Sequence, residues 1–156
     1  FSYRFHPVIA ELRKEPPDSL EIEAWDKLDD KYGPTILDTM TSHAVDIAYY
    51  LNGAARNVIA ECDGLSVDAT LYGFGGHPTR IVQRMDKGPR HSRINDRLLY
   101  PHEPMYTDEV AAWLNLVLND ERDPRLATIG DGVFASRTLE MIKSASTHKE
   151  SDPHAS

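Results

Sequence analysis

The chain has 156 residues, 40% of them hydrophobic and 27% charged, which suits one globular domain that buries roughly 70% of the surface its unfolded chain exposes. No apolar run is long enough to cross a bilayer, and a formal net charge of -8 with scattered basic residues argues against a nucleic-acid partner. The single cysteine, Cys62, leaves no second thiol for a disulfide or a zinc site and points to a reducing, cytoplasmic compartment.

Phe1 to Phe5 reads as the end of a strand. It has neither an initiator Met nor the basic and apolar regions of a signal peptide, so the expectation is a fragment whose preceding part lies elsewhere. Pro7 suits the first turn of a helix with Val8, Ile9 and Leu12 on its apolar side, and Pro16-Pro17 stops it. Ser19 to Trp25 alternates as a half-buried strand, with Leu20, Ile22 and Ala24 in phase. Asp26 to Pro34 reads as a loop. A helix is predicted from Ser42 to Asn52, with Thr41 or Ser42 as N-cap and Gly53 beyond its end.

Three strands follow, at Asn57–Cys62, Leu65–Phe74 and Thr79–Met85, separated by turn residues as in an antiparallel meander. In the second, Leu65, Val67, Ala69 and Leu71 form the buried phase. Lys87 to Tyr106 is the least readable stretch, with one short strand around Ile94 to Leu99. Two helices close the domain: Asp108–Leu118 behind Thr107, with Val110, Leu114, Val117 and Leu118 as its apolar face, and Asp131 to about Ala145, burying Phe134, Leu139, Ile142 and Ala145. These elements predict an α+β domain over residues 1–146, with a polar, disordered tail from Thr147 to Ser156. Its open, mostly antiparallel sheet carries helices on one face and leaves the other for dimerisation or substrate.

The most informative stretch runs from Gly33 to Asp46. His43 and Asp46 are three residues apart on a helix, so a carboxylate there can hold an imidazole's tautomer and orientation for a proton relay. A partly exposed polar pair at a helix edge is the competing reading. The other histidines, His77, His91, His102, His148 and His154, show no metal-ligand spacing and read as surface residues. Trp25 and Trp113 read as core or interface anchors. Gly73-Phe74-Gly75-Gly76 precedes Pro78 and a strand, so it reads as a turn and lacks the strand-to-helix setting of a dinucleotide fingerprint.

Three blocks, in order, resemble the C-terminal domain of the Gfo/Idh/MocA oxidoreductases over residues 1 to about 146. They are Tyr3-Arg4-Phe5-His6-Pro7; Ile36-Leu37-Asp38 through His43-x-x-Asp46 to Tyr49-Tyr50-Leu51-Asn52-Gly53; and the helix from Glu109 with Ala127-Thr128-Ile129-Gly130-Asp131-Gly132 and the helix after it. The resemblance implies hydride transfer between nicotinamide and a sugar, polyol or related hydroxy compound. His43 would relay the proton, Asp46 and Asp38 would act beside it, and Thr39, Arg4 and His6 would face the substrate. NAD or NADP would bind through a Rossmann domain absent here, so this chain alone is expected to bind neither and to show no turnover. One departure stands out, because the family's acid lies four residues before the histidine, whereas here Thr39 occupies that position and Asp38 lies five back. On an α-helix those offsets put side chains roughly 40° and 140° away in projection, so either a bulge re-aims Asp38 or the site is altered. The other functional class left open is a non-enzymatic sensor or dimerisation module that pairs through the polar sheet face.

Overall fold

Strands β2 (Ala55–Cys62), β3 (Ser66–Gly73) and β4 (Pro78–Arg84) pair antiparallel in that order, as the alternating sequence suggests. The strand nearer the N-terminus, β1 (Leu20–Trp25), then docks parallel to β4, with Leu20 beside Thr79 and Trp25 beside Arg84. β5 (His91–Ile94) and the two-residue β6 (Arg97–Leu98) complete a six-stranded open sheet of order β2-β3-β4-β1-β5-β6. The computed structural model describes residues 2–25, 40–63, 65–73, 77–85, 91–99 and 103–150, with backbone alone at 103 and 147–150. The loop expected at Asp26–Pro34, and with it Asp38 and Thr39, lies outside the described residues.

Helices α1 (Pro7–Lys14), α2 (Ser42–Asn52) and α4 (Ile129–Glu150) gather on one side of the sheet, where Leu20, Ile22, Val67, Ala69 and Ile81 meet Ile9, Val45, Ile47 and Ile142 in one buried core. Mean polarity does not decide which face is covered; the strand period of two does. Its in-phase positions are apolar in β1 and β3 and at Ile81 of β4, with the polar Thr79 and Gln83 also buried there, and the out-of-phase positions Glu21, Asp68 and Arg80 remain on the open face. The expected α+β architecture is therefore present. Among the described residues, no helix is long and apolar enough to cross a membrane.

Several local expectations are corrected. Ser2–Phe5 is a 3-10 turn and not a strand end, because Arg4 and Phe5 are both drawn into the interior. Thr41 does not cap α2: it has helical dihedrals, makes no side-chain cap bond and is fully buried. Leu65 is exposed, since Asp63 accepts the Leu65 and Ser66 N–H groups in a tight turn that ends before β3 begins. The strand expected around Ile94–Leu99 is a hairpin, turning at Asn95, whose φ of 49° suits asparagine. α4 begins two residues earlier than Asp131 and runs beyond Ala145. Its N-terminus is a capping box, in which Thr128 Oγ1 accepts from the Asp131 N–H and Asp131 accepts from the Thr128 N–H.

The largest correction concerns α3 (Glu103–Asn119), which starts well before Thr107. Met105 and Ala112 are its buried residues, packed with Phe5 and Leu126 in a small second cluster. Val110, Leu114, Val117 and Leu118, the expected core face, are 54–74% exposed.

Candidate functional site

α2 begins where the carboxyl ends of the parallel pair β1 and β4 open, and a small cleft of about 70 Å³ lies there. Its described lining comes from the start of the chain (Tyr3), from α2 and the turn before it (Met40, His43, Ala44, Ile47) and from three strands (Ile22, Ala24, Trp25, Gln83, His91, Ser92). His43 is exposed, and the Tyr3 ring meets it edge-on at 5.6 Å. An imidazole so placed can reach a bound molecule and keep its orientation.

Asp46 does not do what its spacing from His43 suggested. Three helical residues leave about 60° between the two side chains, and the apolar neighbours Val45, Ile47 and Ala48 roll α2 so that position 46 turns inward. There Asp46 accepts from Arg4 Nε at 3.0 Å and from Arg4 Nη2 at 2.5 Å, a bidentate pair with side chains only 3% and 1% exposed. Arg4 also donates to Asp131 at 3.1 Å, which ties the chain's first turn to α2 and to the cap of α4.

Burial resists the charge on Arg4, but the hydrogen bonds and charges of Asp46 and Asp131 outweigh it and hold the guanidinium above its ordinary pKa. On Asp46, burial is the largest influence and pushes the carboxyl up, against Arg4. These directions oppose each other across one pair; the bidentate geometry is that of an ionised one, and we assign it so. Burial also pushes Asp131 up, yet the Thr128 N–H and the Arg4 charge together bring it below the usual carboxylate range.

The other sequence candidates scatter. His6 is buried and caps α1, with Nδ1 accepting from the Val8 N–H at 3.2 Å. Arg4 is committed to its two carboxylates. Trp25 and Trp113 are 39% and 47% exposed, so neither is a core anchor. Three lining residues were missed: His91, whose ring lies 5.3 Å from that of Trp25, together with Ser92 and Gln83. Only Gln83 left a signal, as a polar residue in the buried phase of β4. Met40 and Thr41 form a π-helical turn ahead of α2, the kind of one-residue insertion in which side chains five apart come to share a face. Gly73 ends one strand and Pro78 begins the next, so no helix N-terminus follows the glycines to seat a pyrophosphate. The described residues thus do not fit a dinucleotide.

No protein-family model and no curated protein matches the chain. Its fold does match solved structures. UDP-N-acetylglucosamine 3-dehydrogenase GnnA from Acidithiobacillus ferrooxidans superposes with a TM-score of 0.78 at 15% identity, over 92% of this chain and 59% of that one. A myo-inositol dehydrogenase from Corynebacterium glutamicum gives 0.78 at 17%, over 95% and 61%. The WlbA (WbpB) dehydrogenase from Thermus thermophilus, solved in complex with NAD and alpha-ketoglutarate, gives 0.67 at 13%, over 92% and 54%. These neighbours are dehydrogenases by name, and the chain shares the fold of the part of each that it covers. It spans about three fifths of the length of the first two.

Proposed function

We propose that this chain is the substrate-binding, proton-handling half of an NAD(P)-dependent oxidoreductase acting on a sugar, polyol or related hydroxy compound. The observation that carries the reading is His43, exposed beside the cleft at the ends of β1 and β4, with the Tyr3 ring edge-on to it. Oxidising a carbinol removes a hydride from carbon and a proton from oxygen. The hydride acceptor belongs to a companion nucleotide-binding domain, and His43 takes the proton at the reacting oxygen. Asp38 is proposed as its acidic companion, and the π turn at Met40–Thr41 supports the five-residue offset. Asp46 contributes at one remove, by fixing α2 through Arg4. The apolar stripe Tyr106, Val110, Trp113 and Val117 supports a docking face for the companion domain, since it lies at helical spacing and is 47–74% exposed.

In the longest form of the gene product, His43→Ala is expected to lower kcat on its polyol substrate by about 10²- to 10⁴-fold with Tm unchanged. Undiminished turnover by that variant would sink the reading. The open sheet face supports a two-fold homodimer. Arg93 binds Glu23 and Arg80 binds Asp68 and Glu21 across it, fixing the charges, while Ile59 and Tyr72 stand exposed at 60% and 42%. Sedimentation should show a dimer at micromolar concentration that Ile59→Glu dissociates, and a wild-type monomer would refute it.

A further inference from the structure

The buried Arg4 and the surface arginines Arg80, Arg93, Arg97 and Arg125 each hold a carboxylate at hydrogen-bond distance. Arg13 of α1 and Arg122, in the connection between α3 and α4, are seated by the backbone instead. Arg13 Nη1 donates to the Tyr50 carbonyl at 2.7 Å, and its guanidinium lies 5.0 Å from the centre of the Tyr50 ring. Arg122 Nη2 donates to the Leu126 carbonyl at 3.0 Å. Among the described residues neither has a carboxylate partner, in a chain with 25 acidic residues to 17 basic ones.

Both guanidinium groups line one cleft of about 450 Å³ between α1, the end of α2 and the start of α4. The segments that build it, 4–13, 49–54 and 122–131, are described without a gap. It shares no lining residue with the cleft beside His43, since α2 gives His43 and Ile47 to that one and Tyr49 and Tyr50 to this. Arg4 and Asp131 line it too. Together with Asp46 they sum to a negative charge, and Arg13 and Arg122 turn the total positive.

A guanidinium carries five N–H donors in a planar fork, so one bond to a carbonyl leaves most of the fork for the oxygens of a phosphate or carboxylate. Because the fold already seats both groups, they lose little side-chain freedom on meeting one. The volume admits more than a bare ion, and the Tyr49 and Tyr50 rings offer apolar surface to the rest of a ligand.

We propose that this cleft is a second binding site, which takes a small metabolite by its phosphate or carboxylate group, with Arg13 and Arg122 as the residues that meet the oxyanion. It stands apart from the sugar or polyol reading, which needs only His43 and its cleft, so either can fail alone.

The test is nuclear magnetic resonance titration of the wild-type chain at low ionic strength with inorganic phosphate, glycerol phosphate, citrate and, as the uncharged control, glycerol. Glycerol phosphate or citrate is expected to bind with a Kd of about 1 mM or tighter and glycerol at least about tenfold more weakly. Glycerol phosphate binding ahead of citrate assigns a phosphate, and the reverse order assigns a carboxylate. Arg13→Gln and Arg122→Gln should each weaken the bound anion by about tenfold. Should Arg13→Gln lower Tm by releasing the Tyr50 carbonyl, Arg122→Gln decides. Arg84→Gln removes an exposed arginine at the end of β4, outside the cleft, and should change the Kd by less than about twofold. The proposal is overturned if no anion binds by about 10 mM, if the cleft variants bind as the wild type does, or if Arg84→Gln costs as much as they do.

Discussion

α2 and α3 are both amphipathic by sequence, yet only α2 turns its apolar side inward. Ala44, Val45, Ile47, Ala48 and Leu51 of α2 are all buried between the sheet and α4. On α3, Met105 and Ala112 are buried and Val117 and Leu118 remain 74% exposed. Periodicity tells which residues share a side; it does not tell what covers that side. For α2 the cover is within the chain, whereas α3, among the described residues, packs on the first turn and Leu126 and leaves its wider apolar side exposed.

The contrast can be broken at its strongest point first. Arg4 joins the chain's first turn to α2 and α4, and Arg4→Ala would strand the Asp46 carboxylate in the interior. A loss of about 3–5 kcal/mol is expected in urea denaturation. A loss under about 1 kcal/mol would mean that the pair does not organise this end of the core. Next comes the cap of α4. Asp131→Ala removes the acceptor of the Thr128 N–H and one partner of Arg4, for an expected cost of about 1 kcal/mol at neutral pH. Because the folded carboxyl is held below its ordinary value, its contribution is complete above that value and is lost as pH falls through the folded one. The gap between wild type and variant should therefore close below about pH 4, and a gap that widened there would contradict the assignment. Smallest is the effect on the uncovered side. Val117→Ser with Leu118→Ser should change stability by less than about 0.5 kcal/mol while reducing the binding of a hydrophobic dye. A loss near the 2–5 kcal/mol expected for Ile142→Ala would show that α3 is packed after all.

Much of the fold was legible. The α2 boundaries, the β2–β3–β4 meander and the strand phase of β1 follow from local periods and stop signals, and local geometry enforces those periods wherever the segment lies. The parallel docking of β1 beside β4 was not legible, because nothing in Leu20–Trp25 names its neighbour. The site divides the same way. His43 was singled out because a helix start carrying an imidazole is a local pattern, and the structure leaves it exposed beside the cleft. Gln83 and His91 were missed because β4 and β5 bring them to α2 from 40 or more positions further along the chain, and Asp46 was paired with the wrong partner because Arg4 lies 42 residues away.

Sequence alone determined where α2 starts and stops, which side of each meander strand is apolar, and that an imidazole opens the second helix. Tertiary structure decided that Asp46 belongs to Arg4, that Gln83 and His91 come to the cleft beside α2, and that the apolar side of α3 is exposed. The first set depends on bonds and side-chain periods within a few residues. The second depends on which distant surfaces exclude water together, and that is settled only when the whole chain closes.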